Sequence, residues 1–122
     1  MRILVADDDR QLSTLLCEVL RSGGHTAVPA FDGASTMMAA MRSPAPDLIV
    51  LDLQMPAGDG HATLSKLKQS SKTTAIPVLV LTATADPAAH ERVRKHGAAA
   101  FLQKPVDPAA FLDAVKAFGP KK

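Results

Sequence analysis

Apolar residues follow two rhythms along this chain. Short unbroken runs alternate with stretches in which apolar residues recur every three or four positions. The runs are Ile3-Leu4-Val5-Ala6, Leu48-Ile49-Val50-Leu51, Pro77-Val78-Leu79-Val80-Leu81 and Ala99-Ala100-Phe101-Leu102-Gln103. Runs of this length, bounded by turn residues, predict strands buried on both faces, as in a parallel sheet. Thr26-Ala27-Val28-Pro29 is a shorter strand. Pro29 cannot donate to a ladder, so this strand belongs at a sheet edge.

Helical patterns lie between the strands. The first helix carries Leu12, Leu15, Leu16, Val19 and Leu20 as its apolar stripe, with Asp9 as its cap and Gly23-Gly24 as its end. This reading leaves Cys17 off the stripe as a small helix residue. Ala34, Met37, Met38 and Met41 mark a second helix, stopped by Pro44. Methionines at this spacing read as core filler. Gly58 and Gly60 permit a tight loop before a third helix bearing Leu64 and Leu67, with Lys66, Lys68 and Lys72 on a solvated face. The fourth opens at Asp86-Pro87 and runs to about His96. Its one large apolar residue is Val93, so it should be weakly anchored; Gly97 closes it. The fifth starts at Asp107-Pro108, turns Phe111, Val115 and Phe118 to the core, and ends at Gly119-Pro120 before a Lys121-Lys122 tail.

Strictly alternating strands and helices predict an α/β domain with a parallel sheet covered on both faces. Right-handed crossovers and an edge position for the second strand suit the doubly wound five-stranded order 2-1-3-4-5. The first and third strands are then neighbours, and their carboxyl ends form the crevice where such sheets bind ligands.

The bulk numbers narrow the picture. The 122 residues suffice for one domain, residues 1–122, and not for two. A net charge of +2 gives no argument for nucleic acid. Cys17 is the sole cysteine, which excludes an internal disulfide and fits a reducing compartment such as the cytoplasm. No apolar run approaches the ~20 residues of a membrane span. The strand pattern begins so close to Met1 that no signal peptide fits before it.

Asp7 and Asp8 follow the first strand, and Asp52 ends the third. Carboxylates this close repel, and each raises its neighbours' pKa unless a cation intervenes. The crevice therefore calls for a divalent cation with a taste for hard oxygen, Mg²⁺ or Mn²⁺ as a substitute. Lys104, after the fifth strand, adds a positive charge at the same rim. Such a site suits a dianionic phosphoryl group, with one of the carboxylates as nucleophile and an acyl phosphate as product. Thr82 ends the fourth strand and can donate its hydroxyl to a phosphoryl oxygen. Asp9, Asp86 and Asp107 read instead as helix caps. His25, His61, His90 and His96 lack metal-ligand spacing and read as surface residues.

At these residues the chain resembles a response-regulator receiver domain of two-component signalling, of the chemotaxis-regulator type. The resemblance rests on Asp7-Asp8, on Asp52 in Asp-Leu-Gln-Met-Pro (residues 52–56), on Thr82-Ala83 and on Lys104-Pro105. Gly60, Gly97 and Phe101 also fall where the family has a loop glycine, a glycine before the fifth strand and a switch aromatic. Together these positions cover essentially the whole chain.

The resemblance implies a flavodoxin-like (βα)5 fold with Asp52 as phospho-acceptor. Mg²⁺ would be bound by Asp8 and Asp52, by Asp7 largely through water, and by the backbone carbonyl of Gln54. Thr82 and Lys104 would contact the phosphoryl oxygens, and the Lys104–Pro105 bond would be cis. Gln54 and Thr84 would flank the phosphate and tune its hydrolysis. Phosphorylation would draw Thr82 toward Asp52 and let Phe101 turn inward. The face formed by the fourth helix, fifth strand and fifth helix would shift with it. Phe101 lacks the hydroxyl of the tyrosine common there, so its inward state would rely on packing. A histidine kinase or histidine phosphotransfer protein would donate the phosphoryl group, and the shifting face would meet a downstream protein. The resemblance implies no direct nucleic-acid or membrane contact by this domain and leaves a homodimer open. It implies a switch rather than a metabolic enzyme.

Three rivals are weaker. A haloacid-dehalogenase-like phosphatase needs a second acid two residues beyond the nucleophile; here that residue is Gln54. A flavin carrier needs a phosphate-cradling loop where this chain has Asp7-Asp8-Asp9, and the chain has no Trp or Tyr to stack on a flavin. A phosphorylation-independent interaction module would not need Asp52, Thr82 and Lys104 together.

Overall fold

The computed structural model describes residues 1–54, 60–83 and 85–119. Met55, Pro56, Gly58, Thr84, Pro120 and the Lys121-Lys122 tail lie outside the described residues. In chain order the elements are β1 (Arg2–Ala6), α1 (Arg10–Ser22), β2 (Thr26–Ala30), α2 (Gly33–Met41) and β3 (Leu48–Asp52). Then come α3 (Gly60–Gln69), β4 (Val78–Thr82), α4 (Pro87–Lys95), β5 (Ala100–Gln103) and α5 (Pro108–Lys116). The sheet is parallel throughout, in the order β2-β1-β3-β4-β5. The strand bearing Pro29 lies at an edge.

The continuous apolar runs exist because both faces of the sheet are covered. Along β3, Ile49 and Leu51 point to one core and Leu48 and Val50 to the other. The first core is closed by Ala40 of α2, Leu64 and Leu67 of α3 and Val93 of α4. The second is closed by Leu16, Cys17 and Leu20 of α1 and Phe111 and Val115 of α5. Asp9, Asp86 and Asp107 cap α1, α4 and α5 by accepting main-chain N–H groups. Asp32 does the same for α2 through the N–H of Ser35 at 2.7 Å.

Several helix faces differ from expectation. The buried arc of α1 is Ser13, Leu16, Cys17 and Leu20, so Cys17 is in the core and Leu15 is exposed. Small residues at 13 and 17 let the helix settle closely on the sheet, and the face turns by about one residue position. On α2 the buried residues are Gly33, Thr36 and Ala40. Met37 is half-buried, while Ala34, Met38 and Met41 face outward. Lys68 is no solvated side chain: its Nζ donates to the carbonyls of Thr74 (3.1 Å) and Ile76 (2.8 Å). It ties the segment after α3 back onto that helix. Gly97, at φ 106°, lets the chain turn where a Cβ would meet the Lys68 stem.

Candidate functional site

Register places the chemistry. Ala6 pairs with Leu51, so Asp7 and Asp52 leave adjacent strands side by side. One carboxylate oxygen from each of Asp7, Asp8 and Asp52 lies within 4.8 Å of the others. Asp7 is fully buried and Asp52 is 2% exposed, whereas Asp8 reaches solvent. Lys104 brings the balancing charge. Its Nζ is 3.3 Å from Asp52 Oδ1 and 3.5 Å from Asp7 Oδ2.

The carboxylates are fixed by main chain. Asp7 Oδ1 accepts the N–H of Asp9 at 2.9 Å, and Asp52 Oδ1 accepts the N–H of Gln54 at 3.1 Å. Gln54 itself is exposed in the turn after β3. The backbone beneath is clamped by α3. Gly60 donates its N–H to the Leu53 carbonyl, and a Cβ at Gly60 would collide with Leu53 Cα and the Asp52 carbonyl. Glycine is needed here for close approach rather than for the turn conformation expected from the sequence.

The charge at the site is unbalanced. Burial pushes the Asp7 carboxyl up to about 6, and the neighbouring Asp52 charge adds to the rise. The Asp9 N–H and Lys104 pull the other way without restoring it. Asp7 Oδ2 is buried with no hydrogen-bond partner. A buried carboxylate oxygen with only the Lys104 ammonium 3.5 Å away, among hard donors, is what a divalent cation would satisfy. The donor set thus fits Mg²⁺.

Thr82 ends β4, is buried, and accepts the Lys104 N–H through its carbonyl at 2.7 Å. The Lys104–Pro105 bond is cis, as is Ser43–Pro44. Phe101 is half-buried on β5 beside the core that contains Val93. Its ring lies 4.0 Å from the His90 ring, tilted by 38°, with the Arg94 guanidinium 5.8 Å from its centroid. His90 therefore departs from the surface role expected of it. His90 and His61 line a cavity of about 120 Å³ with Thr82 and Val93. The sequence does carry a signal for His90: it precedes Val93 by three positions and shares its helix face.

Comparison with known proteins agrees with this geometry. The family model for the response regulator receiver domain matches residues 3–116. The chain is 35% identical over 116 residues to the phosphate regulon transcriptional regulatory protein PhoB of Escherichia coli, covering 95% of this chain and 50% of that protein. It is 27% identical to the polar-differentiation response regulator DivK of Brucella anthropi, covering 95% and 94%. A putative response regulator from Chloroflexus aurantiacus superposes with a TM-score of 0.89 at 29% identity, covering 96% and 95%. The chain spans about half the length of the PhoB relatives it matches. Strand order, site geometry and family model converge: the chain belongs to the response regulator receiver domain family of two-component signalling.

Proposed function

We propose that this receiver takes a phosphoryl group onto Asp52 and uses it to switch the face formed by α4, β5 and α5. The observation that carries the reading is the cluster of Asp7, Asp8 and Asp52 oxygens with the Lys104 ammonium beside it, 3.3 Å from Asp52. In this reading residues 1–122 form one receiver unit acting in the cytoplasm. Among the described residues no helix is long and apolar enough to cross a membrane.

The donor is a phosphohistidine of a kinase or phosphotransfer protein. A carboxylate oxygen of Asp52 attacks phosphorus, an O–P bond forms, the N–P bond breaks, and the imidazole leaves and takes up a proton. Asp8 and Asp52 directly, Asp7 largely through water and the Gln54 carbonyl would hold Mg²⁺, which would supply charge neutralisation for the transfer. Lys104 contacts the phosphoryl group from the β5 side, and the Thr82 hydroxyl donates to it from the end of β4. Thr82 moving toward Asp52 frees the space that Phe101 enters, and α4 follows because Val93 is its one buried residue. The domain promotes only its own phosphorylation and dephosphorylation. A downstream protein reads the switched face, alone or through a homodimer, without direct nucleic-acid contact.

Intact-mass measurement after incubation with acetyl phosphate, with and without Mg²⁺, tests this in the wild type and in Asp52→Asn. A single Mg²⁺-dependent phosphoryl adduct, lost in the variant, is expected. Absence of both the adduct and Mg²⁺ binding would favour a phosphorylation-independent interaction module instead.

A further inference from the structure

Of the four exposed large apolar residues among the described residues, three lie on the β2–α2 edge: Val28, Met38 and Met41. Met38 is 62% exposed. A cavity of about 210 Å³ opens beside them, floored by Leu4 and Val28 and walled by Ala39 and Pro44. Arg2 and Arg42 stand at its rim, both exposed. Neither guanidinium has an ion-pair partner among the described residues. The Asp47 carboxylate, which accepts the main-chain N–H of Arg2 at 2.7 Å, offsets one of the two guanidinium charges and still leaves the rim positive. No residue of α2 is charged.

We propose that this cavity is a docking site for an acidic protein segment that inserts one apolar side chain between β2 and α2. Small-molecule sites commonly span roughly 300–1,000 Å³, so this volume suits a side chain better than a cofactor. The apolar floor takes the anchor, and the two unpaired guanidiniums take carboxylates on either side of it. A second copy of the chain is disfavoured. Across a two-fold axis it would set its own Arg2 and Arg42 against these. The Lys121-Lys122 tail carries the same sign. β2 and β5 are opposite edges of the sheet, so this surface is separate from the face assigned to switching. The domain could hold an acidic partner here in either phosphorylation state.

The test is amide NMR of the ¹⁵N-labelled chain titrated with capped peptides. One probe is acetyl-Glu-Leu-Phe-Glu-amide and the other is its lysine counterpart, acetyl-Lys-Leu-Phe-Lys-amide. The glutamate peptide should give saturable shifts at Arg2, Val28, Ala39 and Ser43. Binding should weaken at least about tenfold with the lysine peptide and with an Arg2→Glu/Arg42→Glu variant. An otherwise unchanged spectrum verifies that the variant folds, and Arg42→Glu alone should give an intermediate loss. Equal shifts from both peptides, or none from the glutamate peptide at millimolar concentration, would overturn the proposal. Shifts on the same residues that grow with protein concentration alone would also overturn it, by assigning the surface to a second copy.

Discussion

The Lys104 ammonium lies 3.3 Å from Asp52 Oδ1 although their strands do not pair. β4 stands between β3 and β5, so the lysine spans two strand spacings, about 10 Å. Its main-chain N–H, bonded to the Thr82 carbonyl, holds the stem over the end of β4. Lys104→Met should therefore have two opposed effects. Removing a positive charge beside the acidic cluster should tighten Mg²⁺ binding by roughly 3–10-fold. Removing a contact to the phosphoryl oxygens should slow adduct formation on the order of 10²-fold. Calorimetry and timed intact-mass measurements read the two separately, and weakening of both would refute this division of labour.

Asp7 yields a prediction about pH. Its carboxyl is raised from an ordinary 3.8 to about 6, chiefly by burial. Its favourable contribution to stability is therefore complete below the unfolded value and lost as pH rises through 6. Without metal, Asp7→Asn should match the wild type near pH 4 and exceed it near pH 8 by on the order of 1–3 kcal/mol. Saturating Mg²⁺ should shrink or reverse that gap, because the wild type alone keeps the third carboxylate. Thermal melts across pH, with chelator and with Mg²⁺, check this. A gap independent of pH would contradict it.

Gly60→Ala should be among the most damaging single-methyl changes in the chain. The added Cβ meets main-chain atoms of Asp52 and Leu53, which cannot swing aside as a side chain can. A loss of at least about 2 kcal/mol is expected in denaturant unfolding. Gly24→Ala is the control. It has open space at its Cβ but a φ of 89°, so it should show only a left-handed backbone cost of about 1 kcal/mol. A milder effect at position 60 than at 24 would show that α3 can back away from the site.

His90→Ala should leave adduct formation intact and release Phe101. The ring pair at 4.0 Å is worth about 0.5–1.5 kcal/mol. Equilibrium stability should fall by that order, and amide exchange should quicken in α4. Unchanged exchange there would mean that the ring contact does not restrain the helix.

The strands were legible because burial on both faces leaves little choice of residue: Leu48–Leu51 and Val78–Leu81 are unbroken, and all eight are buried. The site was legible because carboxylates at the ends of two such strands need only the strand order to meet. Helix faces were harder. Leu15 and Met38 are as apolar as their buried neighbours, and periodicity cannot reveal that Cys17 or Ala40 is the residue that fits against the sheet. Lys68 and His90 depart from the sequence expectation for a related reason. Each is amphipathic, and whether its stem or ring is covered depends on how the chain that follows folds back onto it. For Lys68 that segment holds Thr74 and Ile76; for His90 it is β5.

The sparse anchoring of α4 bears on how sharply the domain can signal. Burying one valine contributes about 1.5–3 kcal/mol, and ~2 kcal/mol corresponds to a population ratio of roughly 30. If Val93 sets the scale, a few per cent of resting molecules already have α4 displaced. Output would then never be fully silent. The gain available from modification would be bounded by that leak, giving a graded dial rather than a latch.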